Sequence, residues 1–106
     1  MSVLACLTTC PDAATAERIA ETLVGEGLAA CVNVLPGVTS IYRWQGVVER
    51  AGEVLLVIKT TEAGFAALEE RLVALHPYEL PELIAVPIDH GLPVYLDWVR
   101  NQIARP

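Results

Sequence analysis

Two rhythms of apolar residues run through this chain, one helical and one close to continuous. Val3 to Thr9 is a short apolar run bounded by Thr9-Cys10-Pro11-Asp12, the mark of a buried strand. Asp12 can cap the helix that follows, and Ala16, Ile19, Ala20, Leu23 and Val24 return at helical spacing with Glu17, Arg18 and Glu21 outside. Gly25 and Gly27 end that helix. From Ala30 to Thr60 the pattern becomes that of two long strands folded at Trp44-Gln45-Gly46-Val47. Pro36-Gly37 interrupts the first, and a proline inside a strand implies an edge or a bulge. Ala51-Gly52 is a second candidate bulge.

Along Glu53 to Lys59, Leu55 and Val57 share one face while Val54, Leu56 and Ile58 share the other. Neither face is polar in the middle, so both need covering. Thr60 or Thr61 is placed to cap a second helix lined by Phe65, Leu68, Leu72 and Leu75, which Pro77 ends. The loop from His76 to Glu82 leads to a strand over Leu83 to Ile88, with Pro87 marking an edge. Pro93 suits the first turn of a third helix striped by Leu92, Leu96, Val99 and Ile103. The order is β-α-β-β-α-β and then α, an α+β chain of the ferredoxin-like kind. Two helices pack on one face of a four-stranded antiparallel sheet, and residues 1–106 form one domain.

Composition sharpens the question of the second face. Hydrophobic residues make up 54% of the 106, above the ~45–50% usual for soluble domains. No apolar run reaches the ~18 residues of a membrane helix, so the surplus points to a subunit that packs against copies of itself. The net charge of −6, with a lone lysine at Lys59, argues against nucleic acid as a partner. The N-terminus lacks a basic region ahead of its apolar letters, and three cysteines without a Cys-x-x-Cys pair fit reduced thiols in the cytosol.

Particular words carry more. Ala29-Ala-Cys-Val-Asn33, Leu35-Pro-Gly-Val-Thr-Ser-Ile-Tyr42, Trp44-Gln-Gly46, Glu53-Val-Leu-Leu and Ile58-Lys-Thr-Thr61 resemble the CutA family of divalent-cation tolerance. His76-Pro-Tyr, Pro81-Glu-Leu-Ile-Ala-Val-Pro87 and Tyr95-Leu-Asp-Trp98 do so too, in order along nearly the whole chain. The resemblance implies a tightly packed homotrimer related in architecture to the PII signalling proteins. It also implies a role in metal-ion response, with copper or another divalent metal as the cofactor to consider.

In the family's copper-binding members the site involves a strand cysteine and two adjacent histidines before Pro-Tyr. Here the matching positions hold Thr8, flanked by Cys6 and Cys10, and Leu75-His76. Metal candidates are therefore His76, Cys10 and Cys6. A single imidazole is a poor copper(II) site, and in one extended strand the two cysteines stand about 13 Å apart. The bland readings are a hydrogen-bonded histidine that orders its loop and three thiols buried as small hydrophobes. His90 beside Gly91 is a weaker candidate.

The second candidate is an interface pocket built from Lys59, Trp44, Tyr42, Tyr78 and Glu82, in which Lys59 beside a helix start would hold a small anionic ligand. Against it stands a lysine paired with Glu53, Glu79 or Glu82. No Gly-x-Ser-x-Gly, phosphate-loop or paired zinc-ligand spacing is present, so no enzyme is expected. The leading expectation is a cytoplasmic trimer that serves metal tolerance by binding. A PII-like effector module and a structural scaffold for a partner protein are the alternatives.

Overall fold

The computed structural model describes residues 2–104. Its elements are β1 (Val3–Cys10), α1 (Ala13–Gly25), β2 (Cys31–Trp44), β3 (Val47–Thr61), α2 (Phe65–Leu75), β4 (Ile84–Pro87) and α3 (Pro93–Gln102). The strands form one antiparallel sheet in the order β2-β3-β1-β4, as the β-α-β-β-α-β pattern predicts.

Asp12 begins α1 as expected: its Oδ1 accepts from the Thr15 amide at 2.8 Å. Ala16, Ile19, Ala20 and Leu23 are buried, and Ile19 and Leu23 meet Val54, Leu56 and Ile58 of β3 and Leu68 and Leu72 of α2. Each of those large side chains contributes about 1.5–3 kcal/mol by leaving water. Val24, expected in the stripe, is 42% exposed at the rim. The start of α2 also differs from expectation. β3 runs on through Thr61, and the helix begins after Gly64, with no side-chain cap. Thr61 instead accepts from the Gly64 amide through its hydroxyl at 3.1 Å, tying down the preceding turn.

In the hairpin the turn falls where Gln45-Gly46 predicts, both residues having positive φ (50° and 82°), the primed geometry that suits strand twist. One bulge is present, between Leu35 and Val38, where Gly37 takes φ 83°. Ala51 and Gly52 pair regularly with Ser40 and Thr39, because one added residue on β2 already resets the register. β4 is shorter than the expected run and pairs only with β1, leaving Pro87 on an edge strand. In α3, Val99 is buried against Val3 and Ala30, with Leu96 and Ile103 beside it. Leu92 precedes the helix and is 67% exposed.

The second face is open over most of its area. Leu7, Leu55 and Val57 are half-buried there, and Leu35, Ile84 and Val86 are exposed. Beyond the bulge the hairpin leaves the sheet altogether: β1 pairs with β3 only from Val54 onward, and residues 41–50 are exposed without a break. This two-stranded projection stretches the subunit to 44 × 26 × 22 Å. Among the described residues no helix is long and apolar enough to cross a membrane.

Candidate functional site

Where the projecting hairpin meets the loop after α2, a cavity of about 590 Å³ opens. Strand alternation sets one wall: Glu53 pairs with Val38, Ala51 with Ser40, Glu49 with Tyr42 and Val47 with Trp44, so Ser40, Tyr42, Trp44 and Glu53 share a face. Tyr78, Glu79 and Glu82 of the loop line the other wall.

His76 fixes that loop. Its Nδ1 accepts from the Tyr78 amide at 3.1 Å, which leaves Nε2–H to donate to the Thr9 carbonyl at 2.8 Å. The imidazole lies against the Tyr78 ring, 4.7 Å between centroids, and Tyr78 reaches across to donate its hydroxyl to Glu53 Oε2 at 2.6 Å. Burial works against ionising Glu53, yet hydrogen bonds from Ser40, Tyr78 and Thr9 prevail and hold its carboxyl below the usual range. The Tyr78 phenol moves the opposite way, raised by burial and by its bond to Glu53. The imidazole, the phenol and the ionised carboxylate thus form one chain from β1 to β3.

The metal candidates sit behind this wall. Both ring nitrogens of His76 are engaged by the protein, and Cys10 Sγ lies 3.9 Å from Nε2. Burial pushes the Cys6 thiol up to about 11; burial and then the charges of Glu53 and Asp12 push Cys10 to about 11. Both are therefore protonated near neutral pH, and an ion would have to displace the proton to bind either sulfur. Thr8, where the family resemblance places a cysteine, is buried, and its Oγ1 has no partner among the described residues. Nor do any three His, Cys, Asp or Glu among those residues converge on a possible ion. The residues present do not fit a copper centre around His76. His90 is exposed in the loop before α3.

Within a single chain Lys59 stands apart. The expected cluster splits: Tyr42, Trp44, Tyr78 and Glu82 come together, but Lys59 does not join them. It lies six residues from Glu53 along β3, roughly 20 Å away at strand rise, and faces the open side of the sheet opposite Ala5 and Cys31. Its ammonium donates to Asn33 Oδ1 rather than to a glutamate. Sequence reasoning also missed Thr9 and Ser40 as wall residues, and gave Glu53 only a partner's role. The available signal was a carboxylate heading an otherwise apolar run, a costly position unless it is hydrogen-bonded.

Residues 4–102 match the family model described as CutA1 divalent ion tolerance protein. A divalent-cation tolerance protein CutA of Thermus thermophilus is 55% identical over 95 residues, 90% of this chain and 92% of that one. The chain belongs to the CutA family. The solved T. thermophilus CutA1 structure superposes with a TM-score of 0.94, covering 96% of this chain and 99% of the other at 51% identity. The apo structure of a CutA from Nostoc, called a PII-like protein, gives 0.88 at 40% identity, with 98% of each chain covered. A rice CutA named as chloroplastic is 45% identical over 93 residues, 88% of this chain. The chain spans about half the length of that relative, so CutA domains also occur within longer proteins. The T. thermophilus relative and the family model carry the name of a tolerance protein rather than of an enzyme.

Proposed function

We propose that this CutA chain forms a homotrimer and serves divalent-cation tolerance in the cytoplasm by binding an ion or small ligand, not by catalysis. The observation that carries the reading is the projecting hairpin. Ile41, Val47 and Val48 are 63%, 58% and 63% exposed on a ribbon that has no third strand. An isolated two-stranded ribbon is marginal in water, and its free edges invite pairing. Other copies of the chain satisfy both needs and cover the open sheet face as well. Family membership supports the tolerance role.

Light scattering after size exclusion, combined with copper(II) calorimetry, tests this. The expected mass is three times the 11.4 kDa chain. A stable single-chain mass at micromolar concentration overturns the assembly, and silence toward copper(II) and other divalent ions overturns ion binding. Because His76 is engaged on both sides, His76→Gln is expected to leave any copper isotherm unchanged. A second reading, a PII-like effector module, is favoured by the Nostoc relative's PII-like description. Thermal-shift screening against nucleotides and small anions, repeated on Lys59→Ala, separates it from the first. A pull-down partner without any ligand response would indicate a scaffold instead.

A further inference from the structure

The bonds that fix the loop after α2 depend on where His76 carries its proton. Nδ1 accepts from the Tyr78 amide at 3.1 Å and Nε2 donates to the Thr9 carbonyl at 2.8 Å, a pattern open only to a ring with a bare Nδ1. A proton added at Nδ1 would point one N–H at another. The rest of the surroundings favour positive charge on the ring. Glu53 of β3 attracts it, α2 ends its run of carbonyls at His76, and Thr9 accepts from Nε2 in either state. Cys10 of β1 lies 3.9 Å from Nε2; burial keeps its thiol and the Tyr78 phenol protonated, so neither gains charge in acid. A single hydrogen bond, from the Tyr78 amide, thus opposes a charge that the neighbours would stabilise. All of these contacts lie within one chain, so other copies packed over the hairpin leave them in place.

We infer that His76 and Glu53 form a two-step, acid-sensitive latch on the loop 76–82. In the first step the imidazole takes a proton at Nδ1 and the Tyr78 amide lets go, while the Tyr78 hydroxyl stays on Glu53. In the second, Glu53 takes a proton and the hydroxyl loses its charged partner. The opened loop holds the extra proton, so acid favours opening, and the latched fraction falls up to tenfold per pH unit below the midpoint. The first step falls in the histidine range, about pH 5 to 7. The second comes lower, since the folded protein holds the Glu53 carboxyl below its ordinary 4.5. Between the two steps the loop is fixed at its Tyr78 hydroxyl alone.

Magnetic resonance on the full chain, with nitrogen-labelled histidine side chains and backbone amides, tests this. In neutral solution His76 should show one bare and one protonated ring nitrogen. On acidification both should become protonated, and the Tyr78 amide resonance should shift with the same midpoint. The Tyr78 ring signals should follow only at lower pH, together with the Glu53 carboxyl carbon. His76→Asn keeps an oxygen acceptor in the place of Nδ1 and cannot titrate, so its Tyr78 amide should hold still through the histidine range. His90→Gln removes the exposed histidine before α3 and should leave both steps unchanged. A Tyr78 amide that stays put while His76 gains its second proton overturns the inference. So does an amide that moves equally in His76→Asn, or a His76 ring that keeps a bare nitrogen until Glu53 titrates. The wild-type titration decides the matter even where H76N folds poorly. Both steps appearing in a protein that runs as a single chain would support the latch and overturn the proposed assembly alone.

Discussion

In the body of the sheet, Val54, Leu56 and Ile58 of β3 are closed over by Ile19 and Leu23 of α1 and by Leu68 and Leu72 of α2. At the other end of the same strand, Val47 and Val48 are more than half exposed, and so is Ile41 across the ribbon. The residue types are alike; the covering is not. Body residues find their partners within one chain, and the tip has none there. On the proposed assembly, the difference teaches that the hairpin serves two structures at once, a subunit core and a surface for other copies.

Substitutions at the two ends should break this comparison in opposite ways. Leu56→Ala, with no exposed area in the native side chain, is expected to cost about 2–5 kcal/mol in chemical denaturation. Ile41→Asp with Val48→Asp should convert the assembly to single chains in sedimentation. The separated subunit should keep its helical content, since these positions contribute little to its own core. A subunit that unfolds on this change would make the tip part of the core after all.

Smaller effects sharpen the boundary at the cavity, where body and tip meet. His76→Gln leaves the Tyr78 amide or the Thr9 carbonyl without its partner, a loss of about 1–3 kcal/mol readable in thermal melts. Tyr78→Phe removes the bond to Glu53. Partial solvent screening places its cost near 1 kcal/mol at neutral pH. That cost depends on pH with a definite sign. The folded-state pKa of Glu53 is depressed, so its contribution is present above the ordinary value of 4.5 and fades as pH falls through the lower folded value. The gap between wild type and Tyr78→Phe should therefore close in acid. A gap that widens there would contradict the ionised state assigned to Glu53.

Much of the fold was legible because its signals are local. Asp12 ahead of a helical stripe, Pro36-Gly37 at a bulge and Gln45-Gly46 at a turn each act within a few residues. The failures came where position depends on pairing. Ala51-Gly52 looked like a bulge but pairs regularly, because the partner strand carries the extra residue. Lys59 seemed to neighbour Tyr78 and Glu82, but register sets it opposite Ala5 and Cys31, far from the loop. His76 was readable as a loop-ordering residue, but its link through Tyr78 to Glu53 spans β1, β3 and the α2–β4 loop. No spacing in the sequence encodes that.

The claim that the hairpin tip is closed by other copies is tested most directly by hydrogen exchange on the native protein. Amides of residues 41–50 should be protected to a degree near that of β1, and Ile41→Asp/Val48→Asp should release the tip while β1 stays slow. Tip amides that exchange within seconds in the wild-type protein, beside a protected β1, would contradict the account.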